Sequence, residues 1–179
     1  MLKQAVIKIM ARLKRNQVVS WAKNPIQTQQ NQFNYLIKKA SKTIFGKDHN
    51  FSESMSYDEF KAKVPVSDYE DLRKYFEQIK LGKKNVLWPG KPIYLAVTSG
   101  TTSGSKYIPI TKESLPNHLN GAKTALLMYI AQTGKIDFIN GKFIFIQGSP
   151  ILTKISGILS GRLSGISAHH VPFYMKRNM

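Results

Sequence analysis

An α/β fold is the expectation for this 179-residue chain, with residues 1–82 mainly helical and residues 83–179 mixing strands and helices. Three observations predict it. Apolar residues recur at helical spacing through the first 45 residues, and two capping boxes follow between residues 56 and 70. Beyond them, two β-type runs, Ile93–Val97 and Tyr107–Ile110, flank nine consecutive Thr, Ser, Gly or Lys residues, Thr98 to Lys106. The length suits one domain, and a composition that is 42% hydrophobic, with nine Phe and eight Tyr, excludes a disordered chain.

Taken in order, residues 2–21 place Leu2, Val6, Ile9, Met10 and Leu13 on one helical face, opposite lysines and arginines. That face is expected to pack on its own domain. Pro25 starts a second helix, whose stripe of Phe33, Leu36, Ile37, Ala40 and Ile44 is expected to stop at Gly46. Ser56 with Glu59, and Ser67 with Glu70, have the spacing of capping boxes. The first opens a short helix closed by Val64 and Pro65; the second opens one that runs to Gly82. Asp58, Glu59, Asp68, Glu70 and Asp71 then fall in first turns, where the helix dipole favours negative charge, so they are assigned structural roles.

After Gly82 the pattern turns to strands. Pro109 has no N–H to donate, which puts the second β-run at a sheet edge or near its own end. Ser114 or Thr111 should open a helix carrying Leu115, Leu119, Ala122, Leu126 and Tyr129 that stops near Gly134, and Phe143–Ile146 reads as another strand. Ser-Gly recurs at 156, 160 and 164, a spacing that suggests a close-packed helical turn or a glycine-rich loop. His169 and His170 have no partners at metal-ligand spacing and read as ordinary loop or core histidines.

Charge and composition narrow the class. The net charge is +17, with ten basic and no acidic residues in 1–47, and thirteen basic against two acidic residues in 78–179. A nucleic-acid reader concentrates such charge around a recognisable motif, and neither zinc-finger spacing nor an RNP-type aromatic pair is present. A diffuse positive field favours polyanionic small molecules such as ATP. A basic module for nucleic acid or anionic surfaces, with a purely structural loop, is the competing reading. No apolar run approaches the roughly 20 residues that span a bilayer, so no membrane partner is expected. The chain has no cysteine, which fits a reducing, cytoplasmic setting.

The loop carries the chemistry. Phosphate oxygens need many donors in a small volume and close approach of backbone. Gly100 and Gly104 remove side-chain bulk so that successive N–H groups can turn toward one anion, and Thr98, Ser99, Thr101, Thr102, Ser103 and Ser105 add hydroxyls. Lys106 closes the run with a mobile positive charge. The Walker spacing does not apply, because three residues separate Gly100 from Gly104 and Ser105 precedes Lys106. A polar hairpin is the alternative reading of such a run.

Ser99–Lys106, SGTTSGSK, resembles the signature loop of the adenylate-forming superfamily, Ser-Gly-Thr-Thr-Gly-x-Pro-Lys, with Ser103 in place of its second glycine and Ser105 in place of its proline. The stretches QNQFNYLIKKASKTIFGKDHNF, SYDEFKAKVPVSDYEDL and NVLWPGKPIYLAVTSGTT narrow this further. They resemble the N-terminal part of the auxin-responsive family of acyl-acid amido synthetases, bacterial branch. That resemblance implies the N-terminal portion of an adenylate-forming ligase. ATP and a carboxylic acid would give an acyl-adenylate and pyrophosphate, and an amino acid would then take the acyl group as an amide. It also implies that Thr98–Lys106 bind the nucleotide phosphates, that Lys106 neutralises charge on the departing pyrophosphate, and that magnesium accompanies ATP. The family's adenine-binding, metal-binding and mobile C-terminal motifs have no counterpart here. The chain is therefore expected to be a partial N-terminal domain, inactive alone, with the remaining part of the enzyme as a partner.

Overall fold

A computed structural model describes residues 2–98, 104–142, 144 and 148–171. Helices dominate the first half: α1 (Leu2–Lys23), α2 (Pro25–Ala40), α3 (Ile44–Asp48), α4 (Tyr57–Lys63) and α5 (Arg73–Lys80). The second half contains β1 (Tyr94–Thr98), β2 (Lys106–Ile110), α6 (Leu115–Thr133), a 3₁₀ turn (Asp137–Asn140), β3 (Thr153–Ile155), β4 (Ile158–Gly161) and α7 (Leu163–His169). Four strands form one sheet in the order β2-β1-β4-β3, with β1 antiparallel to β2 and parallel to β4. The expected strand Phe143–Ile146 lies, Ile144 apart, outside the described residues.

β1 is covered on both faces, which explains why it reads as an unbroken apolar run instead of an alternating one. Leu95 packs with Tyr75, Ile79, Val86 and Ile158 on the α5 side. Ala96 packs with Ile110, Leu115 and Ile166 on the side of α6 and α7. β2 is the sheet edge, as Pro109 requires.

Between α5 and β1, Asn85 closes the segment Asn85–Gly90 on itself: its N–H donates to the Gly90 carbonyl at 2.8 Å, and its side-chain oxygen accepts from Gly90 N at 2.6 Å. The carbonyls of Asn85 and Val86 then accept from Ile44 N (2.8 Å) and Phe45 N (3.0 Å), two amides of the first turn of α3 that have no partner within their own helix. Phe45 sets its ring edge-on to Tyr75 at 5.2 Å, and the Tyr75 hydroxyl donates to Asp48 at 2.8 Å. The helical half is thereby fastened to the sheet.

Several expectations are corrected. In α1, Leu2, Val6, Ile9 and Leu13 are 81, 48, 60 and 64% exposed, and the face that packs instead carries Ile7 and the fully buried Ala11. The small Ala11 lets α1 approach Leu127 and Ile130 of α6 closely, and that outweighs the larger residues on the neighbouring ridge. α6 accordingly turns Leu115 toward the sheet, and Leu127 and Ile130 toward α1, while Leu126 and Tyr129 stay exposed. α2 ends at Ala40; Gly46 lies inside α3, not at a stop. A Cβ at Gly46 would come within 2.0 Å of the Ala40 carbonyl oxygen, so glycine serves close backbone approach there.

The second capping box does not form: α5 begins only at Arg73, with Leu72 at its N-cap and no side-chain cap, so Asp68, Glu70 and Asp71 lie ahead of the helix and not in its first turn. Asp68 accepts from Glu70 N and Asp71 N, and Asp71 accepts from Asp68 N, whereas the Ser67 hydroxyl turns back to the Pro65 carbonyl. A carboxylate accepts both amides more strongly than a hydroxyl, and Glu70 is left to pair with Arg73. The Ser56–Glu59 box forms as expected, and the backbone N–H of Ser56 lowers the Glu59 pKa. The three Ser-Gly pairs separate into different structures. Ser156 and Gly157, at φ 47° and 78°, make the tight turn between β3 and β4, Ser160 and Gly161 end β4, and only Ser164–Gly165 is helical.

Two outcomes follow for stability. Gly46→Ala should lower the unfolding free energy by about 2 kcal/mol or more, whereas Gly121→Ala, with open space around its exposed position in α6, should raise it by up to about 1 kcal/mol. Urea denaturation of the two variants checks the pair. Burial and then the bond to Asp48 push the Tyr75 phenol from 10.0 up to about 12. From pH 10 toward 12 the unfolded chain thus loses a proton that the folded chain keeps, and stability falls as pH rises through that window. Tyr75→Phe should flatten that slope in denaturation curves taken across the same pH range.

Candidate functional site

The loop that the sequence singles out joins the carboxyl end of β1 to the start of edge strand β2. Ser99, Gly100, Thr101, Thr102 and Ser103 lie outside the described residues; Thr98, Gly104, Ser105 and Lys106 are described. Thr98 and Lys106 form the last register pair of the hairpin. They therefore stand side by side at the loop's two roots. Gly104 has φ +78° and open space around it, so its lack of a side chain serves a left-handed turn in the loop. Thr98, Gly104 and Ser105 are exposed and Lys106 is half-buried.

Lys106 is held from one side. Its ammonium sits over the ring of Tyr69, 5.3 Å from the centroid. The Tyr69 hydroxyl accepts the backbone N–H of Tyr107 at 3.0 Å, and its ring stacks on Phe76 at 4.5 Å with planes 10° apart. Beside it, Lys80 lies over the Tyr107 ring at 4.9 Å and pairs with Glu77 at 3.0 Å. The sequence gives no local signal for Tyr69, which lies 37 positions before Lys106.

On the other side of β1 a second cation was equally hidden. Arg162 follows β4, one residue beyond the parallel Ala96–Gly161 pair, at φ −64° and ψ 142°. Its stem runs against the backbone of Gly148, where a Cβ would meet Arg162 Cδ at 2.9 Å. No carboxylate among the described residues lies within ion-pair distance of it. Lys106 begins β2 and Arg162 directly follows β4, the two strands that flank β1, so their backbones stand about two strand spacings, or ~10 Å, apart. In open α/β sheets, ligands bind outside the carboxyl ends of the parallel strands, which is where the β1 loop and Arg162 lie.

On the α5 side of the loop root the nearby acids are paired, Glu77 with Lys80 and Glu70 with Arg73. Among the described residues no three His, Cys, Asp or Glu side chains come close enough to hold a metal ion. A cavity of about 300 Å³, with Tyr35, Trp88 and Pro109 in its lining, opens at the opposite end of the β1–β2 hairpin and has no part in this arrangement. His169 and His170 are occupied structurally, by the Pro150 carbonyl at 2.7 Å and the Tyr94 hydroxyl at 3.0 Å.

Comparison with known proteins identifies the family. Residues 14–178 match the model of the GH3 family N-terminal domain. Over 63 residues the chain is 41% identical to indole-3-acetic acid-amido synthetase GH3.15 of Arabidopsis thaliana, covering 34% of this chain and 11% of that protein. Over 58 residues it is 45% identical to the probable indole-3-acetic acid-amido synthetase GH3.13 of Oryza sativa subsp. japonica, covering 31% and 12%. The solved structure of the GH3.15 acyl acid amido synthetase superposes with a TM-score of 0.69 at 21% identity, over 80% of this chain and 26% of that one, so the fold is shared. The chain thus spans about a quarter of the length of that solved relative. The resemblance carried by the loop and its flanking segments extends along nearly the whole sequence, and the chain belongs to the GH3 family.

Proposed function

We propose that this chain supplies the nucleotide-phosphate site of an ATP-dependent acyl-acid amido synthetase. The observation that carries the reading is where the hydroxyl-rich loop is rooted: it leaves the carboxyl end of β1, in a chain that matches the GH3 N-terminal domain, and returns at Lys106. In the first step a carboxylate oxygen of the acid attacks the α-phosphorus of ATP. The bond from that phosphorus to the bridging oxygen breaks, and pyrophosphate leaves with the electron pair. In the second step the amine of an amino acid attacks the acyl carbon, the carbon–oxygen bond to AMP breaks, and the nitrogen gives up a proton.

Thr98, Ser99, Gly100, Thr101, Thr102, Ser103, Gly104 and Ser105 are assigned to the phosphates. Lys106 is assigned to the negative charge that grows on the departing pyrophosphate, where a fixed cation lowers the barrier because the charge is larger in the transition state than in bound ATP. Arg162, one residue past β4, is assigned to the same charge from the other side of β1. Magnesium accompanies ATP, and the adenine and ribose are assigned to parts of the enzyme outside these residues, with which this domain works as a unit. A cytoplasmic setting agrees with the cysteine-free composition, and no helix among the described residues is long and apolar enough to cross a membrane.

The intact gene product should catalyse ATP–pyrophosphate exchange that depends on an added carboxylic acid. Lys106→Ala should lower that exchange by about 10²–10³-fold, the usual cost of removing one preorganised group from a developing anion. An unchanged rate would remove Lys106 from the mechanism.

A further inference from the structure

We propose that Tyr69 is a positioning residue for Lys106, holding the ammonium at the root of the loop ready for the leaving pyrophosphate. The proposal rests on the reading of the loop as a phosphate site and goes one residue beyond it. A lysine at the start of an edge strand has four rotatable side-chain bonds and, unheld, spreads its charge over many positions. Here the Tyr69 ring limits that spread from 5.3 Å away.

The ring is itself fixed by two independent contacts. Phe76, a buried residue of α5, stacks on it at 4.5 Å. The backbone N–H of Tyr107 donates to its hydroxyl at 3.0 Å, through a donor that points away from the sheet. Two residues further on, Pro109 presents the same edge with no donor at all. One side chain therefore satisfies an outward-facing donor of β2 and restrains the residue that begins the strand. The hydroxyl locates the ring and the ring locates the cation. These two parts can be separated by substitution.

Exchange kinetics on the intact protein test this. Tyr69→Leu removes both ring and hydroxyl and should lower kcat about tenfold with the KM for ATP little changed, because Lys106 acts mainly on charge present in the transition state. Tyr69→Phe keeps the ring and should retain most of the rate. In the Lys106→Ala background, Tyr69→Leu should cost nothing further, since the two residues act through one group. A Tyr69→Leu loss of equal size in both backgrounds would overturn the proposal, as would a Tyr69→Leu rate equal to that of the unaltered protein. If instead Lys106→Ala alone leaves exchange unchanged, the catalytic reading fails first and the positioning role falls with it.

A second measurement does not depend on activity or on Tyr69→Leu folding. The ε-methylene NMR signal of Lys106 should be shifted upfield by the ring current in the unaltered protein and in Tyr69→Phe. A signal at the position of an exposed lysine in both proteins would overturn the contact itself.

Discussion

The arrangement depends on β1 being covered on both faces and paired on both edges. A strand with Leu95 buried toward α5 and Ala96 buried toward α6 and α7 cannot slip by one residue without putting a small side chain where the large one packs and a large one where the small one fits. Its register with β2 is therefore set from Tyr94–Ile110 to Thr98–Lys106. That register decides where the loop begins and ends. The chemistry inherits its geometry from hydrophobic packing several residues away.

The helical half supports this strand. Val86, only 2% exposed, packs directly on the β1 core, and its carbonyl, with that of Asn85, completes the first turn of α3. Tyr75 touches the same core with its ring and Asp48 with its hydroxyl. Phe76, the next residue, faces Tyr69 and so reaches the edge of β2. Two adjacent residues of α5 thus serve the centre and the rim of the site region.

Much of this was legible locally. The β1–β2 hairpin, the edge position marked by Pro109, the Ser56–Glu59 box and the helix ending at Gly134 each leave a signature within a few residues. What was illegible depended on packing partners. α1 carries two apolar ridges, and only contact with α6 selects the one with Ala11. β3 and β4 are three and four residues long, and their Ser-Gly turn imitates a helical repeat. At the candidate site the loop was visible as composition, but Tyr69 and Arg162 were not. The first meets Lys106 from 37 residues away, and the second approaches β1 only because strands more than 60 residues apart pair in parallel. Pairing over that distance leaves no periodic trace in a single sequence.

The most direct measurement is a titration of the ¹⁵N-labelled chain with Mg·ATP followed by NMR. The account predicts saturable shifts that cluster on the amides of Thr98, Gly104, Ser105 and Lys106, while Trp88 and Thr111, beside the far cavity, stay in place. Shifts confined to that cavity, or spread along the basic α1 and abolished by moderate salt, would contradict it.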